Sequence, residues 1–119
     1  MKEDNAILNL TFDFSIQIID LYRTLIQQNE YVLSKQLLRS ATSIGANVEE
    51  ANAAQTKREF TQRMSIASKE ARETKYWIRL LDKSQLIKYD YTGLLKKIEH
   101  IINILTKIVK TSQESLNTK

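Results

Sequence analysis

The stretch from Lys57 to Lys83 most narrows what this chain can fold into. Phe60, Met64, Ala67, Ala71, Thr74, Ile78 and Leu81 recur in alternating steps of four and three. That is the period of one buried face on a long α-helix; side chains on a strand alternate every two residues instead. The chain has no proline and only two glycines, Gly45 and Gly93, so little in it interrupts helices elsewhere.

Three further segments join the first. Thr56 is placed to cap the helix beginning at residue 57, and Glu59, three positions on, completes a capping box. Upstream, Leu33, Leu37, Ala41, Ile44, Val48 and Ala51 form the stripe of a helix predicted over 31–54. The N-terminal segment is ambiguous: Leu10, Phe12, Phe14, Ile16 and Ile18 alternate as in a strand, whereas Phe14, Ile18, Leu21 and Leu25 recur as in a helix. The helical pattern runs further, with no turn signal between the two, and predicts a helix over 11–28. Asp90 is a plausible cap for the last helix, over 91–111, with Leu94, Ile98, Ile101, Leu105 and Ile108 facing inward. Residues 112–119 read as a polar, fraying tail.

Four amphipathic helices joined by short connections specify an all-α fold, an antiparallel up-and-down four-helix bundle, with residues 1–119 as a single domain. The helix after Asp90 carries extra apolar residues, Leu95, Ile102, Ile104 and Val109, and the first is similarly apolar around Phe12, Ile16 and Ile19. Such faces serve either a wide core contact or a subunit interface, and self-association is the expectation. The chain has no cysteine, its first ten residues, "MKEDNAILNL", carry acids rather than a signal-peptide core, and no apolar run approaches the ~20 residues of a membrane span. A soluble, cytoplasmic protein without a membrane role is expected.

The second helix sets small and polar side chains beside its apolar stripe: Gln36, Ser40, Ser43, Asn47 and Glu50. On the third, Arg63, Glu70, Glu73 and Trp77 flank the stripe in the same way. If the two helices are antiparallel neighbours, Ser40 lies near Ala71 and Glu70, Ile44 near Ala67, and Glu50 near Arg63. Half-buried polar groups need partners, so a structural polar seam is expected, with Ser40 and Ser43 donating to Glu70 and Arg63 pairing with Glu50.

The net charge of +4 is unevenly spread: residues 1–55 hold 4 Lys/Arg against 7 Asp/Glu, and residues 56–119 hold 14 against 7. On the third helix Arg58, Lys69, Arg72, Tyr76, Arg79 and Lys83 fall within one arc, with Lys75 at its edge. Such a stripe can follow a phosphate backbone, with Tyr76 offering a stacking face. Lys96, Lys97, Lys107 and Lys110 add positive charge on the last helix. The same stripe also suits a solvated outer face, and Arg72, Tyr76 and Arg79 also suit a subunit interface.

No catalytic constellation is visible. The single histidine, His100, follows Glu99 directly, and Lys97 stands where a bundle di-iron site would need the glutamate of Glu-x-x-His. There is no phosphate-binding glycine loop, and Glu50, Glu70 and Glu73 read better as seam residues than as an acid pair. No enzyme activity, metal or cofactor is expected.

The run "QLLRSATSIGANVEEANAAQTKREFTQRMSIASKEARETKYWIRLL" strongly resembles the four-helix-bundle family called S23 ribosomal protein or 23S rRNA-intervening-sequence protein. The family pattern, roughly Q-L-L-R-S-x-x-S-I-x-x-N-x-x-E-[GA] followed by I-A-x-x-x-A-x-E, falls on Gln36 to Ala51 and on Ile66 to Glu73. The likeness runs from about Phe12 to Val109. Ala41 and Ala51 stand where relatives often have glycine, and both keep the side chain small. The resemblance implies an up-down bundle assembled as a ring-shaped homo-oligomer, a homopentamer, and a bacterial origin in reading frames within intervening sequences of 23S rRNA genes. A related bundle is the accessory protein of diversity-generating retroelements, working with a reverse transcriptase and nucleic acid. No agreed catalytic activity comes with the family. Two readings follow: an RNA-binding adaptor presenting a basic surface to structured RNA or to an RNA-processing or reverse-transcriptase partner, and a structural scaffold on which the basic stripe is incidental.

Overall fold

A computed structural model describes residues 2–118, with side chains from Ala6 onward. Four α-helices follow one another: α1 (Lys2–Gln27), α2 (Leu33–Asn52), α3 (Lys57–Ser84) and α4 (Thr92–Asn117). Short turns force consecutive helices to run antiparallel. α2 packs between α1 and α3, α3 packs against α4, and α4 closes on α1 along a much sparser seam. The result is a four-helix bundle measuring 53 × 23 × 22 Å.

The 3.6-residue stripes meet at the axis. Phe14, Ile18, Leu21 and Leu25 of α1 face Leu37, Ile44 and Val48 of α2, Met64, Ile78 and Leu81 of α3, and Ile98, Ile101 and Leu105 of α4, all essentially without solvent contact. Each such side chain removed from water contributes about 1.5–3 kcal/mol against the entropy of ordering the chain. Ala41, Ala67 and Ala71 are also fully buried, and their small size lets α2 and α3 approach closely.

Predicted boundaries are corrected on three helices. α1 starts by Lys2 rather than at residue 11. The strand-like alternation around Phe14 is therefore fortuitous: Ile7, Thr11, Phe14 and Ile18 point inward at helical spacing, while Phe12 and Ile16 point to solvent. α2 is shorter at both ends; at its start Glu30 takes the amides of Val32, Leu33 and Ser34. The supposed tail is helical to Asn117. It is held by side chains: Ser112 is buried and bonded to Thr61, and Lys57 Nζ donates to Ser115 Oγ at 2.6 Å.

The helix starts follow local chemistry. Thr56 Oγ1 accepts the Glu59 amide at 3.1 Å, which is the hydroxyl half of a capping box. Asp90 Oδ1 accepts the Thr92 amide at 3.1 Å. The predicted surplus of apolar surface on α4 is largely absorbed, since Ile102 is buried and Leu95, Ile104 and Val109 pack against the core. That of α1 is not: Phe12 is 61% and Ile16 47% exposed.

Candidate nucleic-acid interface

α3 divides its polar side chains between two flanks. The flank toward α2 carries Arg63, Glu70, Glu73 and Trp77, and the flank toward α4 and solvent carries the basic stripe. Both follow from 100° steps around a helix whose apolar stripe is fixed by the core.

On the α2 side the partners differ from those expected. Ser40 does not reach Glu70; its hydroxyl lies 2.9 Å from Thr74 Oγ1, in a fully buried pair. Ser43 Oγ accepts from Asn47 Nδ2 at 3.1 Å, and Asn47 Oδ1 accepts from Arg63 at 3.3 Å. Arg63 thus meets Asn47 rather than Glu50, which is exposed. Glu70 and Glu73 are instead bridged by Arg39, at 3.3 Å to Glu70 and closer to Glu73. Trp77 Nε1 donates to Glu73 at 3.0 Å. The sequence reading missed Arg39. Its signal was an acid pair three residues apart on α3 facing a lone arginine on the antiparallel neighbour. With its carboxylates engaged across α2, this flank holds two helices together.

The other flank stays open. Arg58, Lys69, Arg72, Tyr76, Arg79 and Lys83 are exposed along a line of about 37 Å, and Lys75 is half-buried. Arg72 reaches across to Thr106 of α4 at 3.4 Å, and Lys75 Nζ meets Glu99 at 2.5 Å. Arg58, Lys69, Arg79 and Lys83 form no ion pair among the described residues. Lys75, Arg79 and Lys83 converge with Lys96 of α4 on a shallow groove of about 460 Å³ that also holds Asp82 and Glu99. Arg58 sits apart, in a second hollow with Ile66, Gln113 and Leu116. Lys107 and Lys110, exposed on α4, extend the positive surface. Tyr76 is half-exposed with its ring edge-on to Trp77, centroids 5.2 Å apart.

His100 is exposed and lines a groove of about 540 Å³ with Asp20, Tyr89, Asp90, Lys96 and Lys97. Among the described residues no three of His, Cys, Asp or Glu come together as a metal site would require. No helix among them is long and apolar enough to cross a membrane.

The family model described as 23S rRNA-intervening sequence protein matches residues 3–107. A solved structure of a protein of unknown function from the S23 ribosomal protein family of Bacteroides thetaiotaomicron VPI-5482 is 40% identical to the chain. The match covers 91% of this chain and 98% of that one, with a TM-score of 0.86. No curated protein matches the chain in sequence.

Proposed function

The chain belongs to the 23S rRNA-intervening sequence protein family, and we propose that it acts as a non-enzymatic, homo-oligomeric RNA-binding adaptor. One observation carries this reading: the outer face of α3 and α4 gathers exposed cations, while the acids of α3 that lie on its α2 flank are bridged by Arg39. A row of cations left to solvent costs self-repulsion. A polyanion relieves it by exchanging condensed counterions for lysine and arginine contacts. Arginine forks at Arg72 and Arg79 suit phosphate oxygens bidentately. In a ring the stripe is repeated, so individually weak phosphate contacts add through avidity. The partner would be structured RNA in the cytoplasm, alone or with an RNA-processing or reverse-transcriptase enzyme.

The exposed Phe12 and Ile16 on α1 favour a second reading, a protein scaffold built by self-association, with no nucleic acid. Purification from the native host at moderate salt, with sequencing of any bound nucleic acid, separates the two. A defined RNA released at higher salt supports the adaptor; an assembled protein carrying none supports the scaffold. The double charge reversal Arg72→Glu, Arg79→Glu is expected to abolish RNA binding with the oligomer intact. Loss of assembly instead would make the stripe a subunit interface.

A further inference from the structure

Tyr89 stands where the basic face reaches one end of the bundle. The α1–α2 and α3–α4 turns meet at that end. Tyr91, in the second turn, has its ionisation pushed up to about 12, by burial first and then by Tyr89, Asp82 and the first turn's Glu30. Lys96 lines both the α3–α4 groove of Lys75, Arg79 and Lys83 and the neighbouring groove of Tyr89 and Lys97. Lys96 thus joins the two grooves, the first of which also holds Asp82 and Glu99 and the second Asp20 and Asp90.

That ring is held in place. Its centroid lies 5.0 Å from that of Tyr91 at a 55° tilt. Tyr91 is itself fully buried, with its hydroxyl donating to the Ile87 carbonyl at 3.0 Å. Tyr89 is 40% exposed, so it packs against Tyr91 while still meeting water. A ring fixed in this way loses little rotamer entropy when a flat ligand stacks on it. Of the acids nearby, Glu99 pairs with Lys75 and Asp20 with Arg23, while Asp82 and Asp90 form no ion pair among the described residues, Asp90 accepting the Thr92 amide. Glu30 and Asp90 already occupy amides at the starts of α2 and α4.

The stripe on α3 differs from this end. It has several cations and one aromatic, Tyr76, turned edge-on to Trp77. Tracking a single strand requires a succession of stacking faces, whereas a duplex is held through its phosphates and shape. We infer that Tyr89 is a stacking platform for an unpaired nucleobase, with Lys96 holding the adjoining phosphate. The preferred ligand is then RNA whose double-helical segment along α3 gives way to single strand at this end. The inference rests on the RNA-binding reading above and specifies its ligand.

The test is fluorescence anisotropy with a blunt RNA duplex, the same duplex carrying a single-stranded extension, and the extension alone. Wild-type protein should bind the extended duplex about five-fold or more tighter than the blunt one, as one base–aromatic stack provides. Tyr89→Leu, which keeps apolar packing on Tyr91, should remove that preference, and Tyr89→Phe should keep it. Lys96→Gln, on the surface, should weaken it without affecting folding. Tyr31→Ala, at an exposed tyrosine in the other turn, should leave it unchanged. Equal wild-type binding of blunt and extended duplexes, or a preference surviving Tyr89→Leu and Lys96→Gln, overturns the assignment of Tyr89 while RNA binding stands. Wild-type protein that binds none of the three RNAs overturns both.

Discussion

The hydroxyls of Ser40 and Thr74 lie 2.9 Å apart at the buried centre of the α2–α3 contact. Each also lies near a carbonyl of its own helix, Leu37 at 3.3 Å and Glu70 at 2.8 Å. One hydroxyl therefore donates to the other while the second proton goes to the backbone, and neither is left unsatisfied. Truncating one leaves its partner the backbone carbonyl. Ser40→Ala and Thr74→Val should each cost about 1 kcal/mol, and the double variant less than their sum, because the shared bond is lost only once. Chemical denaturation of the four proteins measures the coupling. Ser40→Leu should be worse than either, by about 1–3 kcal/mol of overpacking where the helices touch.

Glu30 is the start signal of α2. Glu30 is only 9% exposed; its carboxylate accepts the amides of Val32, Leu33 and Ser34, and its carbonyl accepts the Ser34 hydroxyl. Burial pushes its pKa up, but the amides of Ser34, Leu33 and Val32 outweigh burial and hold it below the ordinary carboxylate value. With the folded pKa below the unfolded one, the stabilisation is complete above the unfolded value near pH 4.3 and is lost as pH falls through the folded value. Glu30→Gln should cost about 1–2 kcal/mol at pH 7. Urea titrations at pH 7 and pH 3 should show the gap to wild type closing on acidification.

Gly45 sits where α2 crosses α1. A methyl group there would meet the Thr11 carbonyl oxygen at 3.5 Å and Ser15 Oγ at 3.6 Å, ordinary van der Waals distances, and its φ is not positive. Gly45→Ala should therefore raise stability by about 0.5–1 kcal/mol, the helix-interior difference between the two residues. Gly45→Leu should lower it by about 1–3 kcal/mol, because the longer side chain runs into the Thr11 backbone and the Ser15 side chain of α1. Thermal melts followed by circular dichroism distinguish these opposite signs.

The final turns of α4 contribute to the fold. Ser112 is 8% exposed and bonded to Thr61, which is 6% exposed. Ending the chain after Thr111 would uncover Thr61 and lose the Lys57–Ser115 bond. The shortened protein should be less stable by about 1–3 kcal/mol. A frayed tail would make the same truncation silent.

The helical stripes were legible in the sequence because a residue's direction from a helix depends only on its position along the chain. That determined the four helices, their inward residues such as Ile44, Ile78 and Leu105, and the antiparallel placing of α2 against α3. It also placed Arg72, Arg79 and Lys83 on one outer arc, and the "QLLRS" and "IASKEARE" runs marked the family. At α1 β-branched and aromatic residues alternated by chance, but the helical period was the right reading; the helix begins earlier than predicted and leaves Phe12 and Ile16 outside.

Only the tertiary structure decided which polar atoms meet. Arg39 rather than a serine satisfies Glu70, because its long side chain spans the α2–α3 gap that a serine hydroxyl cannot. Ser40 finds Thr74 because small neighbours bring those backbones close. Ser112 extends α4 because Thr61 awaits it across the interface, and a polar sequence alone signals fraying. Tyr89 was unremarked in the chain because its setting, beside buried Tyr91 and in a groove shared with Gln17 and Asp20 of α1, depends on how the turn packs on the bundle. Periodicity is a one-dimensional property and survives reading in one dimension. Hydrogen bonds and stacking faces depend on separations of a few ångströms between residues distant in sequence, which the packing of the bundle alone establishes.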